Sequence, residues 1–189
     1  EIQSGFGRTG RMFAVEYAGV EPDLMTVAKS IAGGVPLSGL TGKAEIMDAP
    51  PPGGLGGTYA GSPLGCAAAL AVLEVMKSEQ LLERSLRLGE RLQARLRTLQ
   101  KRFPVIGEIR GLGSMVAMEL VKNGKAEQPD ADVTRALVQA AARHGLVILS
   151  CGVYGNVIRF LAPLTISDAL LSEGLDKLEA ALGEVTAKR

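Results

Sequence analysis

The sequence predicts an α/β protein in two parts: a region whose short apolar strands end on glycine-rich loops, then a small α+β unit. Three observations carry this expectation. Leu24-Met25-Thr26-Val27-Ala28 is a short apolar run that stops at Lys29 and Gly33-Gly34, the pattern of a buried strand delivering its last residue to a loop. The stretch from Glu79 to Arg102 reads as a long amphipathic helix, with Leu81, Leu82, Leu88, Leu92, Leu96 and Leu99 on or near one face. Beyond Pro104 strands and helices alternate quickly over roughly 85 residues, within the range of a small domain. The boundary is therefore expected near Phe103, which divides the chain into 1–103 and 104–189.

The elements follow in order. Glu1-Ile2-Gln3 reads as the end of a strand, so the chain is expected to be the C-terminal portion of a longer protein. After the strand that ends at Lys29, Leu37 to Gly42 reads as a second strand, and Ala49 to Gly57, dense in Pro and Gly, as a loop. Ser62-Pro63 supplies an N-cap and a proline at the first helical position, opening a helix to about Met76. Its alanines, Ala67 to Ala69 and Ala71, permit close approach to a neighbour. The long leucine-faced helix lacks the three or four regular heptads of a coiled coil and is expected to pack across a domain. Pro104 breaks it. Strands are then expected at 105–110 and 114–121, a polar loop at 122–129, a helix from about Asp132 to His144, and strands at 146–150 and 157–160. The last helix runs from about Asp168 to Thr186, with Ser167 as its N-cap.

Composition narrows the functional classes. Twenty-one basic against 20 acidic residues leave a formal charge of +1, with no excess to follow a nucleic-acid backbone or an anionic membrane. Apolar runs are broken well short of the roughly 20 residues a membrane helix needs. A cytoplasmic protein without nucleic-acid or membrane partners is expected. Cys66 and Cys151 lack CxxC spacing and read as reduced thiols, and no metal site is expected. The single histidine, His144, precedes Gly145 where a helix should end, so a role at helix C-terminal carbonyls is expected over catalysis.

Three residues carry candidate chemistry. Lys29, at a strand end beside small flexible residues, reads locally either as an exposed loop lysine or as an amine nucleophile; without a neighbouring acid in sequence, an aldehyde cofactor would engage it. Thr58 follows Gly56-Gly57 just ahead of a helix start, where a hydroxyl flanked by backbone amides suits a phosphate. A Walker loop is excluded, since Lys43 is followed by Ala44 and the first glycine would fall on Leu37. Arg159 stands in the apolar strand Val157-Ile158-Arg159-Phe160-Leu161, where a buried guanidinium demands an anionic partner, either an internal acid or a substrate carboxylate.

Five segments together resemble the class III (subgroup II) aminotransferases of PLP fold type I: 1–10 (EIQSGFGRTG), 28–34 (AKSIAGG), 57–63 (GTYAGSP), 110–113 (RGLG) and 159–165 (RFLAPLT). The resemblance covers essentially the whole chain, and is nearest to bacterial members of the 4-aminobutyrate type. It implies the C-terminal part of a large pyridoxal-phosphate-binding domain followed by the family's small α+β domain. It further implies that Lys29 forms the Schiff base and shuttles the proton, that Gln3 sits beside the 3'-oxygen of the cofactor ring, and that Gly57 and Thr58 bind the cofactor phosphate of the other subunit. Arg159 would hold the α-carboxylate of glutamate or 2-oxoglutarate. A homodimer or dimer of dimers with shared sites is implied. So is transfer of the amino group of 4-aminobutyrate to 2-oxoglutarate; ornithine, 5-aminovalerate or a diamine-type substrate is the alternative, and a non-catalytic piece another. The family's acidic partner of the ring nitrogen lies just before the position of Glu1, so the 189 residues alone are expected not to transaminate.

Overall fold

A computed structural model describes residues 1–187. The chain forms two compact units, 1–85 and 86–189.

In the first unit the segment up to Gly10 winds through turns rather than a strand, with Phe6, Gly7 and Gly10 at positive φ. It encloses Phe6, Gly5 and Thr9 and stacks the Phe6 ring edge-on against Phe13 at 5.7 Å. Strand β1 (Leu24–Val27) pairs antiparallel with β2 (Gly39–Gly42), Leu24 opposite Gly42 and Val27 opposite Gly39. A single 3₁₀ turn, Lys29–Ala32, links them. After β2 comes a one-turn helix, α1 (Ala44–Met47), too short for a periodic signal to reveal. The Pro- and Gly-rich loop then leads to α2 (Pro63–Ser78), where proline takes the first turn as expected while the Ser62 side chain makes no cap bond. Gly65 of α2 sits on Leu37, and Val72 approaches Gly33. The β1 strand was expected to be buried; only Val27 is, because among the described residues the two-stranded ribbon has no further strand beside it. Leu24 and Leu40 lie open at 45% and 46% exposure.

The second unit is an antiparallel sheet in the order β3-β4-β6-β5, with β3 Ile106–Leu112, β4 Met115–Leu120, β5 Ser150–Cys151 and β6 Val157–Phe160. Helices α4 (Ala131–Arg143) and α5 (Asp168–Ala187) join α3 (Leu81–Arg102) around its core. Leu92, Leu96 and Leu99 of α3 meet Val116, Met118 and Leu120 of β4, Ile158 of β6, Leu137 of α4, and Leu178 and Leu182 of α5. Alternation along β4 sends Val116, Met118 and Leu120 inward and leaves Met115, Ala117 and Glu119 on the opposite face. The sequence reading counted the whole of α3 with the first part of the chain. The compact units divide within α3 instead, because its leucines from Leu88 onward are core residues of the second unit.

Helix ends here follow side-chain chemistry. The buried Asp130 carboxylate accepts the N–H of Val133 to start α4, and Ser167 Oγ accepts the N–H of Leu170 to start α5. His144 closes α4 and lies 3.3 Å from Glu184, the structural place expected of it. Arginines of α3 meet acids of α5: Arg91 pairs with Asp168, Arg95 with Asp176 at 2.7 Å, and Arg102 with Glu179. The expected strand 146–150 shrinks to Ser150–Cys151. The N–H of Leu146 bonds Ala141 O at the end of α4 and its side chain rests on Gly174 of α5, which pulls the following residues out of the sheet.

The turn between β3 and β4 is pressed against α3. A Cβ on Gly89 would lie 1.7 Å from the Gly113 carbonyl oxygen, so two backbones meet there without side chains between them. Gly113 itself takes φ +50.

Candidate active site

Lys29 stands at the junction of β1 and the 3₁₀ turn. Ala28 before it is fully extended, Lys29 has φ +50, and Gly33 closes the turn in the left-handed region at φ +59. A left-handed lysine costs of order 1–3 kcal/mol, which its surroundings must supply. The strand register, the bond from Ile31 N to Ala28 O and the seat of Gly33 against Val72 of α2 do so. Lys29 follows a strand that was expected to be buried; within the first unit it is exposed, as the ribbon that carries it is uncovered.

The start of the chain lies beside this strand. The Glu1 nitrogen donates to Thr26 O at 2.8 Å, three residues before Lys29. The Glu1 carboxylate accepts from Ser4 Oγ at 2.6 Å and from Val15 N at 2.9 Å. Partial burial pushes its pKa up, but these bonds, with the Ala14 amide, outweigh it and hold the carboxyl below its usual range. Gln3 is exposed. Arg8 is half-buried in the following turn, where burial draws its pKa down.

Thr58 is exposed in the loop before α2. The loop turns through the bonds Ala60 N to Gly57 O and Ser62 N to Tyr59 O. A Cβ on Gly56 or Gly57 would meet nothing within 4 Å. Packing within this unit therefore does not require those glycines; a bare, approachable backbone beside a hydroxyl is what they provide. The donor set of this unit, a primary amine, an amide and a hydroxyl beside open glycine N–H groups, fits the aldehyde, phenolic oxygen and phosphate of pyridoxal phosphate.

Arg159 belongs to the second unit. It lies opposite Ala117 in the sheet, on the face away from Ile158, and is half-buried rather than enclosed. It lines an apolar groove of about 480 Å³ with Leu146, Ile148, Leu161, Pro163 and Leu171. The same sheet face carries an ion network that sequence reading missed. Arg110 Nη1 donates to Glu108 at 2.7 Å, and its Nη2 is 2.7 Å from Glu119. Donation to the Glu119 carboxylate raises the Arg110 pKa against the opposing effect of desolvation, and the charges of Glu119 and Glu108 add to it. Arg110 was visible in sequence only as part of a motif; its pairing with Glu119 depends on strand register.

Of the two cysteines, Cys151 lines the same groove as Arg159. Cys66 is exposed and Cys151 half-buried, both free thiols. Among the described residues no group of three or more His, Cys, Asp and Glu could hold a metal ion, and no helix is long and apolar enough to cross a membrane.

Comparison with known proteins gives a consistent answer. The family profile described as "Aminotransferase class-III" matches residues 1–182. The 5-aminovalerate aminotransferase of Pseudomonas putida is 58% identical over 185 residues, which are 98% of this chain and 43% of that protein. The 4-aminobutyrate aminotransferase of Escherichia coli is 53% identical over 184 residues, 97% of this chain and 43% of that protein. Among solved structures, a Bacillus anthracis aminotransferase superposes with a TM-score of 0.88 at 33% identity over 97% of this chain and 44% of its own. The ornithine aminotransferase of Toxoplasma gondii gives 0.86 at 34% identity, covering 100% of this chain and 43% of its own. The chain thus spans less than half the length of the curated relatives it matches.

Proposed function

Because the chain belongs to the class-III aminotransferases, a pyridoxal-5'-phosphate-dependent family of the α/β fold type I, we propose that it forms part of an ω-aminotransferase that moves the amino group of 4-aminobutyrate to 2-oxoglutarate, giving succinate semialdehyde and glutamate. The observation that carries this reading is Lys29: an exposed amine fixed at a strand end in a left-handed conformation, inside a chain that matches the family over residues 1–182.

Each proposed role follows from side-chain chemistry. Bound pyridoxal phosphate supplies an aldehyde to receive the amino group and a ring that withdraws electrons from the carbon losing its proton. Lys29 would hold the cofactor through its side-chain amine, and the same amine, when free, would take up and return the proton. The Gln3 amide would hold the phenolic oxygen. Gly57 and Thr58 offer N–H and O–H donors to a phosphate, that of a second copy in a homodimer or dimer of dimers. Arg159 supplies a two-pronged donor for the α-carboxylate of glutamate or 2-oxoglutarate. A cytoplasmic setting goes with this reading.

The 5-aminovalerate reading is the second one, favoured by the 58% identity to the Pseudomonas putida enzyme against 53% to the Escherichia coli enzyme. The two amines differ by one methylene, worth roughly 1–3 kcal/mol in a fitted pocket. Comparing kcat/KM for both amines on the full-length protein separates them. Borohydride treatment of the loaded protein should leave the cofactor attached to Lys29 in a peptide map, and Lys29→Ala should abolish both attachment and transamination. Attachment elsewhere, or full activity without Lys29, would overturn the assignment.

A further inference from the structure

Three strands of the second unit place two arginines and two acids on one face. Arg110 of β3 is directly opposite Ala117 of β4, and Ala117 is directly opposite Arg159 of β6. Directly opposed residues share a face, so the two arginines flank a methyl group in a single row. Their Cα atoms are about 10 Å apart, two strand spacings. Glu119 is two residues from Ala117 and projects on the same face. Opposite it stands Val157, so Glu119 is the diagonal neighbour of Arg159, at the roughly 7–8 Å that a long side chain can span. Glu119 nonetheless turns the other way, to Arg110 at 2.7 Å, and Glu108 fills the second arm of the same guanidinium at 2.7 Å.

We propose that Arg110 is a positioning residue for carboxylate recognition: by holding Glu119 and Glu108 it keeps their charges from competing with a substrate carboxylate at Arg159. The inference rests on the proposed role of Arg159. Without Arg110, two carboxylates would remain on this face, and the cation nearest Glu119 across the sheet would be Arg159. An ion pair between them would have to break before a 2-oxo acid could bind. Ala117 belongs to the same device, since a larger side chain there would stand between the two arginines.

The test is steady-state kinetics on the full-length, cofactor-loaded protein, with the 2-oxo acid and the amine varied separately. Arg110→Met should raise KM for the 2-oxo acid roughly three- to tenfold, the range of a partly exposed ion pair, with kcat within about twofold of wild type. Glu119→Gln should leave that KM unchanged or lower it, and Arg110→Met combined with Glu119→Gln should restore it. A purely structural pair predicts the opposite symmetry, with either single change raising KM alike, and that result would overturn the proposal. So would an unchanged KM in Arg110→Met. Should the Met variant not fold, Arg110→Gln takes its place with the same expected asymmetry. Arg159→Met separates the two levels of the argument. If it leaves KM for the 2-oxo acid unchanged, the role of Arg159 fails and this inference with it; a large rise there with no response at Arg110 removes this inference alone.

Discussion

Residues 86–187 bury a continuous apolar core, with Leu96, Leu137, Leu178 and Leu182 wholly enclosed while Val147 and Val153 stay open at its edge, whereas residues 1–85 bury few large side chains and leave Leu64, Leu70 and Tyr59 at 79%, 64% and 86% exposure. The difference lies in layering. The second unit has helices laid against a four-stranded sheet, an arrangement that encloses a core between the layers. The first has a two-stranded ribbon, short turns and one long helix that is apolar over much of its circumference. Yet the first unit carries Lys29, Gln3 and Thr58. The proposed cofactor contacts and the larger apolar core are thus separated along the chain, while the proposed substrate contact, Arg159, lies with the core.

The largest test of this contrast is at α3. Gly89→Ala puts a methyl carbon into the Gly113 carbonyl, where backbone rather than a flexible side chain must yield, and should cost about 3 kcal/mol or more. Gly183→Ala, with open space around it in α5, should instead stabilise by about 0.5–1 kcal/mol. Chemical denaturation followed by far-UV circular dichroism reads both. Equal effects would mean that the α3–turn contact does not hold in solution.

Next in size is α2. Leu70→Gln and Leu73→Gln, at positions 64% and 43% exposed, should leave the unfolding midpoint almost unchanged, within about 0.5 kcal/mol, while reducing self-association of the 189-residue chain in light scattering. A large loss of stability would show that this helix is covered in the chain itself, and the contrast between the units would collapse.

The smallest effect concerns Glu1. Its folded pKa lies below the ordinary carboxylate value of 4.5, so its bonds to Ser4 and Val15 contribute stability above that value, and the contribution is lost as pH falls through the folded pKa. Wild type and Glu1→Gln should differ in Tm at neutral pH and converge on acidification below 4.5. A gap that widened toward acid would reverse the assigned direction.

What the sequence disclosed follows the same division. Helices α4 and α5 and strand β6 stand within a residue or two of expectation, because strong periodicity coincides with caps or strand-like composition. Lys29 was placed at the strand end where it lies, but the burial of the strand was misjudged, since burial depends on what covers a strand and not on the strand itself. The one-turn α1 offered too few residues for a period. The shortening of 146–150 to two paired residues arises from Leu146 bonding back to Ala141, a contact that propensity does not encode. The tie between Arg110 and Glu119 needs strand register, which no local pattern reveals.

The meeting of Gly89 with Gly113 also has a mechanical side. Where side chains separate two elements, rotamer changes absorb small displacements; where backbone rests on backbone, there is almost nothing to compress. Helix α3 and the β3–β4 turn must therefore travel together, like a lever and the bracket bolted to it. Arg110, only three residues before Gly113, is carried along with any shift of that lever.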